Sequence, residues 1–220
     1  MDARRVTGIG MTSQRTRERL VARLREAGIT DIRVLNAIRD VPRHLFVEEA
    51  LASRAYDDTA LPIGYGQTIS QPFVVARMTQ VLLEGQEPRK VLEVGTGSAY
   101  QAAVLANLTA RVFSIERLRA LHSRARRLMR ELRLDNVRLR LGDGYEGWPG
   151  EAPFDGIMLT AAPLAIPELL TEQLTLGGRL VAPIGRDGNQ KLMVCERTDQ
   201  GLICRNVSRV SFVPMKRGLE

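Results

Sequence analysis

The sequence predicts a doubly wound α/β fold, a mostly parallel sheet with an N-terminal helical layer and a C-terminal antiparallel hairpin. Three observations predict it. Short apolar runs alternate with helical patterns from residue 90 to 184, as chained βα units require. A glycine-rich turn, Gly95-Thr96-Gly97, joins the first of these runs to its helix. The alternation then stops, and two strand-like runs, 190–197 and 202–213, flank a turn at 199–201.

Each element has a local reason. Residues 14–27 carry Leu20, Val21, Leu24 and Ala27 on one helical face and stop at Gly28. A second helix starts at Asp31, a natural N-cap, and runs through Val34, Leu35 and Ile38 to the break at Pro42. Residues 43–70 read as mostly irregular, and a helix follows Pro72. Strands are expected at 90–94, 111–115, 137–141, 154–160 and 179–184, with helices over 98–108, 117–133 and 166–174. Gly177-Gly178 is read as the stop of the last helix.

Composition narrows the class. A chain of 220 residues, 44% apolar and 26% charged, is globular and large enough for a full core. No apolar run reaches the length of a membrane span, and residues 1–5 lead into no signal-peptide core. A cytoplasmic protein is expected. Net charge is +7, with much of the arginine excess between Arg117 and Arg140. Few aromatics interleave there, so the arginines read as the solvated face of an amphipathic helix, and nucleic acid is disfavoured as a partner. Cys195 and Cys204 flank the 199–201 turn. They are expected to lie close on paired strands as buried, reduced thiols, since their spacing fits neither a zinc site nor a CxxC pair.

The glycine loop carries the first chemical statement. A dinucleotide fingerprint needs a third glycine where the helix packs; this chain has Tyr100 there. Nicotinamide cofactors are therefore disfavoured. A loop of Glu93, Gly95, Thr96, Gly97 and Ser98 suits S-adenosylmethionine instead. Glu116 ends the second strand of the sheet and can accept both ribose hydroxyls; Asp143, followed by Gly144, ends the third and can accept from the adenine amine. Alternatives stay open at each position: turn glycines, a helix-terminal acid for Glu116, a turn residue for Asp143.

The acceptor is read from what the fourth strand lacks. Leu159-Thr160-Ala161-Ala162-Pro163 offers neither the amide or acid nor the aromatic that would activate and stack a base amine. No cysteine lies near, no metal cluster is expected, and only His44 and His122 supply imidazoles. A carboxylate acceptor needs no base, because it is already ionised at neutral pH, with a pKa of about 4. It needs positioning. Gly66-Gln67-Thr68-Ile69-Ser70-Gln71-Pro72 offers a hydroxyl, Ser70, that either caps the following helix or faces the reaction.

Together, Ala60-Leu61-Pro62-Ile63-Gly64, GQTISQP, LEVGTGSAYQAAVLA, LGDGYEGWP, LTAAP and Val210-Ser211-Phe212-Val213-Pro214 closely resemble the bacterial protein-L-isoaspartate O-methyltransferases, over roughly residues 11 to 215. The resemblance implies a Rossmann-like class I methyltransferase fold. It further implies methyl esterification of the free α-carboxylate of L-isoaspartyl residues in damaged proteins. The ester then collapses to a succinimide, and S-adenosylhomocysteine is the other product. By the same resemblance Ser70 is the active-site residue, with Thr68 and Ile69 in its loop. Glu93, Gly95, Thr96, Gly97, Ser98, Glu116, Asp143 and Gly144 hold the cofactor, while Thr160, Ala161, Ala162, Val213 and Pro214 line the acceptor side.

Residues 1–10 are expected to be a loose extension and 11–220 one methyltransferase domain, with a substrate layer over 11–88 and a cofactor-binding sheet with C-terminal strands over 89–220. A monomer acting on isoaspartyl proteins, without metal or membrane, is expected. Two departures from the family pattern stand out. Ala99 replaces a usual glycine, a change tolerated where φ is negative, and Met215-Lys216-Arg217-Gly218 places two charges near the acceptor side. Two other readings remain: a methyltransferase of RNA or a small molecule, and a non-catalytic module that binds damaged proteins.

Overall fold

The computed structural model describes residues 8 and 10–220. Most of the expected 1–10 extension lies outside the described residues. The N-terminal layer holds helices α1 (Gln14–Glu26), α2 (Ile32–Asp40) and, further on, α3 (Pro72–Leu83). Asp31 caps α2 by accepting the Arg33 N–H at 2.9 Å. Between α2 and α3 the chain is less irregular than the sequence reading supposes. Two 3₁₀ turns, Arg43–Phe46 and Glu49–Arg54, precede a short antiparallel hairpin of β1 (Leu61–Gly64) and β2 (Gln67–Ile69). Its turn residues Tyr65 and Gly66 both have positive φ, the backbone of a tight hairpin turn.

The remaining elements are β3 (Lys90–Val94), α4 (Tyr100–Ala106), β4 (Arg111–Glu116), α5 (Arg119–Glu131), β5 (Val137–Leu141), β6 (Phe154–Leu159), α6 (Glu168–Glu172), β7 (Leu174–Arg186), β8 (Asn189–Thr198) and β9 (Gly201–Val210). The seven strands from β3 onward form one sheet in the order β5-β4-β3-β6-β7-β8-β9. Pairing is parallel from β5 to β7 and antiparallel from β7 to β9. β9 is the edge of that hairpin, as the sequence predicts. The helix read over 166–174 is only α6, and β7 starts before the glycine pair. Gly177-Gly178 sits in an irregularity where Leu174 pairs with Phe154 but Arg179 with Gly156. It marks a bulge within a strand.

Alternation along the strands splits the core. Val91, Val112 and Met158 face the helical layer, whereas Leu92, Val94, Phe113, Ile115, Ile157 and Leu159 face the other side with Leu170 and Leu180. Helix α5 buries Leu121, Ala125 and Met129 and exposes Arg126, Arg127 and Arg130, so its arginines form the solvated face that was expected.

One expectation is corrected at the sheet edge. Cys195 and Cys204 face each other in the β8–β9 register and form a disulfide. Only Cys195 is buried; Cys204 lies on the exposed edge strand.

Candidate functional site

The sheet order reverses at β3: the chain winds outward to β5, then returns to place β6 on β3's other side. The carboxyl ends of strands flanking such a switch open a crevice. Here they line a concave cleft, at the place where open α/β sheets take small ligands. Its walls include Glu93, Gly95, Thr96, Gly97 and Ser98 after β3, and Glu116 after β4. Gly144 after β5, Thr160 and Ala161 after β6, and Val213 and Pro214 after β9 complete that side. Thr68, Ile69 and Ser70 from the hairpin close it. Residues far apart in sequence thus converge as the motifs predict.

Local chemistry explains each position. Gly95 has φ +101, and a Cβ there would run into the Thr160 hydroxyl, which donates to the Val94 carbonyl at 3.0 Å. Only glycine meets both demands. Gly144 lies against Val94, leaving no room for a side chain. Glu116 is buried and accepts from Gly97 N–H at 2.7 Å and Leu118 N–H at 2.9 Å, tying the glycine loop to the end of β4. Glu93 is wholly buried. Its Oε2 accepts from the Ser114 hydroxyl, which also contacts Thr96 Oγ1 at 2.6 Å, while its Oε1 has no partner. Burial pushes its carboxyl up to about 8; the Ser114 hydrogen bond opposes this and the Glu116 charge adds to it.

Ser70 is not the cap of α3. The cap position falls on Gln71, whose side chain reaches Asp58 Oδ2 at 2.9 Å, and Asp58 Oδ1 takes the Phe73 N–H at 2.8 Å. Asp58 does the capping work from a distance, and Ser70 is left on the cleft wall.

Three expectations change. Asp143 does not line the cleft: its Oδ1 accepts from Tyr145 N–H at 2.9 Å and its Oδ2 from Gly218 N–H at 2.8 Å. Its carboxylate ties down segment 215–220 instead. Ala162 also lies behind the wall, where its backbone exchanges hydrogen bonds with Val213 and Met215. Ala99 has φ +70, so the condition under which its methyl was to be tolerated is not met, and the residue is held in the left-handed region.

Tyr100, Gln101, Arg117, Met215 and Lys216 also line the cleft. Tyr100 could have been found from its place at the third-glycine position. Met215 and Lys216 follow the Val213-Pro214 motif directly, so adjacency alone could have found them. His44 and His122 are absent from the lining; His44 Nδ1 meets the Tyr56 hydroxyl at 2.8 Å.

An α/β sheet with an acid-flanked glycine loop at its switch point defines a class I methyltransferase. Comparison with known proteins narrows the class. Residues 14–220 match the family model for protein-L-isoaspartate(D-aspartate) O-methyltransferase (PCMT), and the chain belongs to that family. Protein-L-isoaspartate O-methyltransferases of Halorhodospira halophila and Alkalilimnicola ehrlichii are 63% and 62% identical to it, over 99% of each chain. Two solved structures superpose closely. One, a protein-L-isoaspartate O-methyltransferase, has a TM-score of 0.83 at 29% identity, over 92% of this chain and 67% of that one. The other, a β-aspartate methyltransferase from Plasmodium falciparum in complex with S-adenosyl-L-homocysteine, has a TM-score of 0.80 at 27% identity, over 91% and 98%.

Proposed function

We infer that this chain methylates the free α-carboxylate of L-isoaspartyl residues, with S-adenosylmethionine as donor. The observation that carries the reading is the meeting of three elements on one cleft: the glycine loop, Glu116 and a Ser70 relieved of capping. S-adenosylmethionine, when bound, supplies an electrophilic methyl group and leaves as S-adenosylhomocysteine. The residues fit such a group. The unpartnered Glu93 Oε1 suits its ammonium, whose positive charge would draw the carboxyl to its ionised, accepting form. Glu116 suits the ribose, and the backbone at Gly95, Gly97 and Gly144 allows close approach. Thr96 and Ser98 complete that wall.

This chain's own work is orientation. Ser70 donates a hydrogen bond to the acceptor carboxylate and holds it without taking a proton. Thr68, Ile69, Thr160, Ala161, Val213 and Pro214 flank it, and Ala162 supports them from behind. Asp143 acts through segment 215–220, which it holds by the Gly218 N–H. We take a monomer as the acting form. We assign residues 11–220 to one functional domain, and the cytoplasm as its compartment.

Two peptides identical except for isoaspartate against aspartate test this reading. Labelled methyl is expected on the isoaspartyl peptide alone. Labelling of both, or of neither, would overturn the acceptor assignment. Ser70→Ala is expected to lower kcat by about 10²-fold, the scale of a lost positioning group, with S-adenosylhomocysteine affinity unchanged.

A further inference from the structure

Arg43 opens the 3₁₀ turn after Pro42 and is wholly withdrawn from solvent. Buried arginines are ordinarily paired with a carboxylate. Among the described residues none lies within ion-pair distance of this one. Its Nε donates to the Ala55 carbonyl at 2.7 Å and its Nη2 to the Ser70 carbonyl at 2.8 Å. The guanidinium rests 4.7 Å from the Tyr100 ring centre, and Nη1 has no hydrogen-bond partner. Asp58, the acid whose charge it feels, spends both oxygens on the start of α3.

Two carbonyls and a ring face could be served by a neutral side chain at lower cost, since burying an unpaired charge is expensive. A cation kept there answers a charge that arrives. Ser70 and Tyr100 both line the cleft, so the guanidinium stands one residue behind its wall. Charges across such a dry layer are screened far less than at the surface.

We propose that Arg43 is the positioning residue of the acceptor side: it fixes the Ser70 main chain, and its unpaired buried charge draws an ionised carboxylate to the cleft. The proposal rests on the isoaspartyl reading above. Methylation removes the acceptor's charge, so the cation favours the bound carboxylate over the transition state. The charge therefore acts on KM and the grip on Ser70 on kcat.

The test compares an isoaspartyl peptide with the analogue whose free α-carboxylate is replaced by a carboxamide, which is uncharged and serves as an inhibitor. Methylation of the isoaspartyl peptide by the unaltered enzyme first secures the underlying reading. Arg43→Gln is then expected to raise KM for the acid peptide about tenfold, leaving Ki for the amide within about twofold. Equal shifts in both, or a shift in neither, would make Arg43 merely structural and overturn the proposal. Arg43→Lys keeps the charge and loses the fork. KM is expected within about threefold and kcat about tenfold lower; unchanged kcat with a tenfold higher KM would overturn the proposal. Where Arg43→Gln shows no thermal shift with S-adenosylhomocysteine, and so has not folded, Arg43→Lys decides by the same criteria.

Discussion

At the residue scale the least ordinary group is Glu93, fully buried on the cleft wall with one oxygen unpartnered. Burial holds its pKa up at about 8, so the folded protein keeps a proton there that the unfolded chain releases near its ordinary value. The sign follows: this contribution to stability is full below about pH 4.5, declines as pH rises, and is lost past about 8. A shift of this size is worth on the order of a few kcal/mol. Urea unfolding at pH 5 and pH 8 is expected to show that loss in the natural chain, and not in Glu93→Gln, which stays neutral throughout. Equal loss in both would place the pH dependence elsewhere. Glu93 was legible because a short motif surrounds it. Arg43 was not, because nothing in Val41-Pro42-Arg43-His44 distinguishes a solvated arginine from one folded under Tyr100 and Ser70. Ala99 was half legible: the substitution shows in the sequence, but its φ of +70 comes from how β3 enters α4.

At the scale of elements, segment 215–220 reaches further than its local pattern indicates. Met215 and Lys216 line the cleft beside Val213 and Pro214, as the sequence places them, and the residues after them fold back over the sheet. Arg117 Nε donates to the Gly218 carbonyl at 3.1 Å, and the Glu220 backbone exchanges hydrogen bonds with Arg117 and Arg119. Arg217 stacks 4.2 Å from the Tyr145 ring centre, and the Tyr145 hydroxyl donates to the Met215 carbonyl at 3.3 Å. The segment is strapped across the ends of β4 and β5, beside Glu116 and Gly144 of the cleft wall. Ending the chain after Lys216 is expected to speed S-adenosylhomocysteine release about tenfold, as loss of a lid does, with peptide KM unchanged. Stopped-flow displacement measures it, and an unchanged release rate would remove the strap from the cofactor's path. Elements fixed by local periodicity were readable: β3 to β6 from their apolar runs, α1 and α2 from spacing and caps. The β1–β2 hairpin was not, since strands of four and three residues, interrupted by Pro62 and Gly64, carry too little pattern. Their pairing is settled by Leu61, Ile63 and Ile69 burying against the rest of the core. The disulfide was missed for another reason. Spacing brought the two cysteines together, but the reduced state was read from a spacing that fits neither a zinc site nor a CxxC pair. That does not bear on a bond between facing residues of a hairpin.

For the whole molecule, the arrangement separates two tasks. On the proposed reading, donor contacts sit on the ends of the sheet, while Ser70 and Arg43 belong to the N-terminal layer packed over it. The cleft is where the layers meet, joined by Arg43 with one bond to Ser70 and one face on Tyr100. A ligand that grips the sheet side alone should therefore stabilise the fold without help from Ser70. At a concentration about 100 times its Kd, S-adenosylhomocysteine adds about 2.7 kcal/mol, or roughly 5–10 °C in Tm for a chain of this size. The natural chain and Ser70→Ala are expected to show the same shift in a thermal melt. Gly95→Ala, forced into the Thr160 hydroxyl at a φ that alanine resists, is expected to lose most of it whatever its own baseline. A shift lost in Ser70→Ala and kept in Gly95→Ala would reverse the assignment of the two walls. The order of effects matters more than their size, because it asks whether the fold divides the reaction as the cleft's geometry does.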